Sequence, residues 1–299
     1  MTTNTQPRRG FLKLAAAGGI FTAIEAAAPD WKKQIGLELY TVRDLLAKDF
    51  EGVIAKVAEA GYKELEPVGY GGLDPKAFRA LLDRHGLKAP STHAGVADGP
   101  DLEKGLEGHR IMGFKYTEIH APRQAGQTRQ PLTEESVKRS AGEYNNYGKI
   151  AAKFGMKVLV HNHAGEFNLL PATARTQYDV LLAETDPKLV AMQMDIGWVN
   201  VAGKDPLALF ARHPGRFELW HVKDVVGVKD NPPDTPPGRR KGTFVPVGQG
   251  EIDYKTIFQH ASQAGLKHFV IEQDNAGEKG ADSLAAMRAN IAGLRTLLS

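Results

Sequence analysis

The chain has 299 residues, no cysteine, 42% hydrophobic and 24% charged residues, and a formal charge of +3. That composition excludes wholesale disorder, a disulfide framework, thiolate metal sites and thiol nucleophiles, and so small a charge argues against a nucleic-acid partner. The length suits two ordinary domains or one barrel of about 250 residues.

Residues 1–28 read as an export signal. Arg8-Arg9-Gly10-Phe11-Leu12-Lys13 is a twin-arginine pattern, a weakly apolar stretch spans 14–24, and Ala26-Ala27-Ala28 is the small-residue type that a signal peptidase accepts. The apolar run is about 11 residues, short of the roughly 20 that span a bilayer. On this reading the twin-arginine export machinery is a partner, the protein is periplasmic or otherwise exported, and no stable membrane span remains after signal removal. Without residues 1–28 the chain carries 35 Lys+Arg against 34 Asp+Glu, so most of the basic excess belongs to the signal. Residues 29–33 are a linker, and 34–299 form one catalytic domain.

From Gln34 onward, amphipathic helices alternate with short apolar strands. A phrase of glycine, apolar residue and lysine recurs where each of five helices gives way to a strand: Gly61-Tyr62-Lys63, Gly86-Leu87-Lys88, Gly113-Phe114-Lys115, Gly155-Met156-Lys157 and Gly265-Leu266-Lys267. Each glycine stands where a helix C-terminus favours a left-handed residue. Strands are predicted near 34–40, 62–68, 87–93, 114–120, 156–163, 188–195, 216–222 and 267–272. Helices follow them, for example over 44–60 and 133–154. Strands separated by helices imply a parallel sheet, and eight such units predict a single-domain (β/α)8 TIM barrel. A doubly wound open sheet is the alternative, weakened by the lack of a glycine-rich dinucleotide motif after the first strand. The Pro-rich segment 225–250 follows the seventh strand and reads either as a lid or as a surface insertion.

Barrel enzymes place their chemistry at the C-terminal ends of the strands. Here those ends carry Glu66, His93, His120, His161 with His163, Asp195, His221 and Glu272. So many ionisable groups on one face are hard to explain by packing, because burying them without partners is costly. Imidazole with carboxylate suits a divalent Mn, Zn, Co or Mg ion, which would polarise a sugar carbonyl while a spare carboxylate or histidine moves the proton. Lys223, two residues after His221, shares its side of the strand and either meets a substrate oxyanion or pairs with Asp195 or Glu272. Trp198 suits stacking on a sugar face. Glu38 reads as lining the barrel floor in preference to contacting substrate, and Arg43 with Asp44 as a cap and ion pair in preference to binding substrate. His85, His109, His213, His260 and His268 read as surface or structural.

In this order, Leu37-Glu38-Leu39-Tyr40-Thr41-Val42-Arg43-Asp44, Gly61-Tyr62-Lys63-Glu64-Leu65-Glu66, His161-Asn162-His163-Ala164-Gly165-Glu166-Phe167, Met194-Asp195-Ile196-Gly197-Trp198, Trp220-His221-Val222-Lys223-Asp224 and Val270-Ile271-Glu272 resemble the sugar isomerase/epimerase-like barrel superfamily. This superfamily includes xylose isomerase-like proteins, ketose epimerases, inosose dehydratase and endonuclease IV. The resemblance implies a metal held by Asp195, His221 and Glu272 with a fourth ligand from the fifth strand. The family places Glu there and this chain has His161, so the fourth ligand is His161 or Glu166. Glu166, Glu272 and Lys223 are then the catalytic candidates, and Glu66, His93, His120, His163 and Trp198 face the substrate. The three-metal endonuclease pattern is incomplete, since Trp198 stands where it expects a histidine. The implied activity is isomerisation or epimerisation of a sugar or keto-sugar by proton abstraction beside a carbonyl. The alternatives are a lyase or dehydratase of keto-glycoside or inosose type, and a non-catalytic exported sugar-binding barrel. Metal identity, substrate and oligomeric state stay open.

Overall fold

The computed structural model describes residues 1, 30–120 and 132–299. Apart from Met1, the segment read as an export signal lies outside the described residues. The chain clusters into two units, Met1–Asp30 and Trp31–Ser299; the second carries the fold.

Seven parallel strands form one curled sheet: Gly36–Glu38, Glu64–Glu66, Tyr116–Thr117, Lys157–His161, Val190–Asp195, Leu219–Val222 and His268–Ile271. Its two ends, Glu64–Glu66 and Tyr116–Thr117, are joined by the segment predicted as the third strand. Lys88 exchanges backbone bonds with Lys63 and Leu65 at 3.0 and 2.8 Å, and the Pro90 carbonyl accepts from Lys115 and Tyr116 at 2.7 and 3.1 Å. Proline has no N–H to give, so the ladder stops there and the eighth member is only a bridge long. The ring is nonetheless closed, which makes the sheet a TIM barrel.

The crossover helices begin where the sequence supplies caps. Asp49, Asp74, Asp205 and Asp253 accept from the first-turn amides of their helices, and Thr133 and Thr176 form reciprocal capping boxes with Ser136 and Asp179. Asp49 also explains a difference from expectation. The predicted helix over 44–60 is split into Arg43–Leu46 and Phe50–Glu59, because the Asp49 carboxylate turns back to cap Gly52. All five glycines of the recurring phrase have positive φ, from 62° to 97°. There an L-side chain would crowd the backbone, so the phrase marks each helix stop and strand start.

Period-two alternation sorts the strand residues into two cores. Val158, Val160, Met192, Met194, Trp220 and Val222 point outward and are covered by the helices. Trp220 is fully buried and stacks on Phe210 with the rings 5.1 Å apart. Tyr116, Leu159, Ala191 and Leu219 point inward and form a separate apolar plug. Two residues further along each of these strands come Glu118, His161, Gln193 and His221. The apolar plug therefore forms a floor, and the polar cluster stands on it.

Segment 225–250 is pinned rather than loose. Asp224–Val226 pairs antiparallel with Thr243–Val245. The buried Asp224 carboxylate accepts from the amides of Val225, Gly248 and Gly250 at 3.0, 2.8 and 2.9 Å. Arg240 donates to the Val201 carbonyl at 3.1 Å and Gly238 to Asn168 at 2.9 Å. Phe244 meets Trp198 edge-on at 5.0 Å, so the segment serves as a wall for the Trp198 indole. Among the described residues no helix is long and apolar enough to cross a membrane.

Candidate metal and sugar site

Strand register brings the polar groups together. Glu38 pairs beside Glu66, His161 beside Gln193, and Asp195 beside His221. Above the apolar plug opens a cavity of about 480 Å³ lined by Glu38, Tyr40, Arg43, Val68, His93, His161, His163, Trp198, Glu272, Asp274 and Glu278.

Two groups of donors share His221. One comprises Glu38, Glu66, His93 and His221; the other comprises His161, Asp195 and His221. The two ring nitrogens of His221 separate their roles. Nε2 lies 2.7 Å from Glu66 Oε2. Burial opposes a charge on Glu66, but His93 and His221 outweigh it and hold the carboxyl well below its usual range. An ionised carboxylate only accepts, so Nε2 carries the proton. Nδ1 then faces Glu272 Oε2 at 2.7 Å and Asp195 Oδ2 at 3.7 Å, and it is buried with no aligned hydrogen-bond partner. A ring nitrogen converging with two carboxylate oxygens, while the other ring nitrogen donates to a carboxylate, is a geometry that a metal ion would take over by displacing the Nδ1 proton. The donor set therefore fits a divalent ion held by His221, Asp195, Glu272 and His161, whose Nε2 is 3.1 Å from Asp195 Oδ2.

The electrostatics agree. Burial opposes ionisation of Asp195 and Glu272, yet Lys223 and the neighbouring histidines keep both carboxyls well below their ordinary values. Burial likewise opposes charge on His221, but Glu272, Asp195 and Glu66 raise it well above the ordinary imidazole value, so Nδ1 holds a second proton that a metal ion would displace. His161 is pushed down to about 3, chiefly by burial and then by His221, and so stays neutral, the form that ligates a metal. Burial, with Glu66 and Glu272 nearby, pushes Glu38 well above the carboxylate range.

Several expected residues are placed differently. Glu166 accepts from the His163 backbone amide at 2.8 Å and is not among the cavity's lining residues. One of its oxygens is thus engaged by its own loop, within the 3-10 turn Gly165–Phe167. His120 is also outside the cavity, with its side chain 56% exposed and 3.5 Å from Glu118. The reason is that Ile119–His120 leaves the barrel to pair with Val96–Ala97. Glu118, two residues earlier, sits in the inward row instead, and burial raises its carboxyl above the ordinary value. Lys223 is buried within 2.9 Å of Asp195 and Glu272 and 2.7 Å of Asp274. Burial would lower its value, but the three carboxylates raise it far more. Lys223 is thus a fixed ammonium and not a base. Arg43 makes no pair with Asp44; it donates to the Tyr40 carbonyl at 2.9 Å. His93 and His163 line the cavity with Trp198, the His163 ring meeting His161 at 4.8 Å and Trp198 at 5.5 Å.

Sequence reasoning missed three participants. Gln193 donates to both Glu66 oxygens at 3.0 and 2.9 Å and pairs with His93 Nε2 at 2.7 Å, tying Glu66 and His93 to its own strand. Asn162 braces the strand end that carries Asp195, accepting from its amide at 3.1 Å. Asp274 lines the cavity, its carboxyl raised to about 7 chiefly by burial, with Oδ2 unpartnered. Gln193 was findable, since it lies two residues before Asp195 on the same side of Val190–Asp195, whereas Asp274 lies in the turn beyond His268–Ile271.

The family model for the xylose isomerase-like TIM barrel matches residues 54–297. The chain belongs to this family. Among xylose isomerase-like relatives, an inosose dehydratase from Geobacillus kaustophilus is 30% identical over 251 residues, covering 75% of this chain and 80% of its own. A solved sugar phosphate isomerase/epimerase from Parabacteroides distasonis is 22% identical with a TM-score of 0.68, covering 91% of this chain and 96% of its own. The zinc-bound structure of a protein named IOLI is 14% identical with a TM-score of 0.64, covering 89% and 98%. The relatives place this chain among sugar-processing enzymes.

Proposed function

We propose that the chain is a metal-dependent enzyme that abstracts a proton beside the carbonyl of a sugar or keto-sugar. The observation that carries this reading is the convergence of His221 Nδ1 with Asp195 and Glu272 at a polar cavity that Glu272 and His161 line. His161, Asp195, His221 and Glu272 would hold the ion, which when bound supplies Lewis-acid polarisation of the carbonyl. Lys223 locks two of those carboxylates in place. Trp198 and His163 offer ring faces to the sugar. Burial lowers His163 below its ordinary value, and its ring has no hydrogen-bond partner among the described residues, so it is the neutral base available to take the proton. The carbon–hydrogen electron pair becomes the enediolate. Returning the proton to the neighbouring carbon isomerises, returning it to the opposite face epimerises, and losing a neighbouring hydroxyl with an added proton dehydrates. Kinship to an inosose dehydratase favours dehydration. Glu38 and Asp274, each with an unpartnered carboxyl oxygen, line the cavity where hydroxyls would be held or protonated.

Solvent-deuterium exchange with a panel of free and keto-sugars, before and after dialysis against a chelator, tests this reading. Exchange that stops on metal removal and returns on restoration supports it; exchange undiminished by complete metal removal refutes it. Sugar binding without exchange would make the protein a non-catalytic binding barrel. We also propose twin-arginine export, on the support of Arg8-Arg9 and the flanking residues.

A further inference from the structure

The mouth of the cavity holds a charge that this chemistry does not use. Arg43 lines it together with Tyr40 and Glu278. Besides its bond to the Tyr40 carbonyl, the guanidinium lies 4.0 Å from the centroid of the Tyr40 ring. Gly277 leaves the space it fills, since a Cβ there would stand 2.8 Å from Nη1. These contacts fix the guanidinium plane without neutralising it, for Arg43 has no ion-pair partner among the described residues. Lys223, by contrast, is matched by three carboxylates. Arg43 is therefore the one permanently charged cation lining the cavity that lacks a counter-ion among the described residues.

We propose that Arg43 receives an anionic group, a carboxylate or a phosphate, carried by the sugar substrate. A planar guanidinium held at its edge is suited to bidentate recognition of either. Arg43 lines the mouth, whereas the His221 cluster stands above the apolar plug at the other end of the cavity. The substrate is thereby oriented with its charged end at the mouth and its reacting carbons over the His221 cluster. Tyr40, 41% exposed on the same wall, offers the sugar an apolar face.

This inference rests on the sugar-enzyme reading. Metal-loaded full-length protein is titrated calorimetrically with D-glucose, D-glucuronate and D-glucose 6-phosphate. We expect one of the two anionic probes to bind about tenfold or more tighter than glucose, with a gap that narrows as salt is raised. Whichever anion gains distinguishes carboxylate from phosphate. Arg43→Met closes the gap with metal content unchanged, and Arg43→Lys keeps part of it. Equal binding of all three probes, no binding of either anion, or a gap that survives Arg43→Met overturns the proposal. A wild type that exchanges deuterium but ignores charge sinks the Arg43 proposal alone, whereas a protein that retains no metal sinks the enzyme reading beneath it.

Discussion

Glu66→Gln distinguishes the two donor groups that share His221. Glu66 is fully buried, accepts from His221 Nε2 at 2.7 Å and takes both contacts from the Gln193 amide. The substitution keeps the volume and one acceptor oxygen but removes the charge that fixes the His221 proton on Nε2. Losing an outer carboxylate partner of a metal-bound histidine typically costs about 10–100-fold in metal affinity, or roughly 1.4–2.7 kcal/mol. If the ion sits at His221 Nδ1 with Asp195, Glu272 and His161, Glu66→Gln should weaken it by that factor and still bind one equivalent. Glu272→Gln and His221→Ala should weaken it much further. Competition against a coloured chelator gives the affinities, and elemental analysis gives the stoichiometry. If Glu66→Gln loses metal as completely as His221→Ala does, Glu66 is itself a ligand and the Glu38–Glu66–His93–His221 group is the metal site. Unchanged affinity would remove Glu66 from the network altogether.

His161→Ala should lose metal while Glu166→Ala retains it, read by elemental analysis; the reverse result would restore Glu166 as the fourth ligand. His109 is buried between Tyr70 and Thr117 at 2.9 and 2.8 Å, and burial lowers it to about 4. Its unfolded value is about 6.5, so between those values the unfolded chain binds the extra proton, and stability falls as pH drops through that window by about 3 kcal/mol. Denaturant midpoints at pH 7 and pH 4.5 should therefore converge more in His109→Gln than in wild type; an identical pH dependence would refute the assignment. Gly86→Ala and Gly265→Ala both place a side chain at positive φ, at about 1–2 kcal/mol each. Only at Gly265 would the Cβ stand 2.7 Å from backbone, that of Gly215, so urea unfolding should show Gly265→Ala to be clearly the more damaging. Replacing Arg8 and Arg9 together with lysine should leave the protein in the cytoplasmic fraction; continued export would refute the twin-arginine reading.

How legible the site was depended on which physical rule placed each residue. His161, Asp195, His221 and Glu272 were readable because each ends a largely apolar run, and period two then aims them inward; His93 was readable from its place at the end of the third predicted strand. Gln193 was passed over because an amide does not announce metal chemistry, although its inward parity was visible two residues before Asp195. His120 had the right residue type in the right place, yet its strand departs to pair with Val96–Ala97, a choice no local pattern encodes. Glu166 followed a motif, but whether its carboxylate reaches out or folds back to the His163 amide is decided by a single turn.

The sequence by itself determined the alternation of helix and strand, the helix stops at the recurring glycines and the inward row of polar residues. Those follow from backbone sterics and from the two periodicities of the chain, which are local. Only the tertiary structure decided which nitrogen of His221 faces Asp195 and Glu272, that Lys223 is a neutralised strut while Arg43 keeps its charge, and how Pro90 limits the eighth member of the ring. Each of those depends on groups far apart in sequence meeting at hydrogen-bond distance, and such meetings are fixed by strand register and barrel closure.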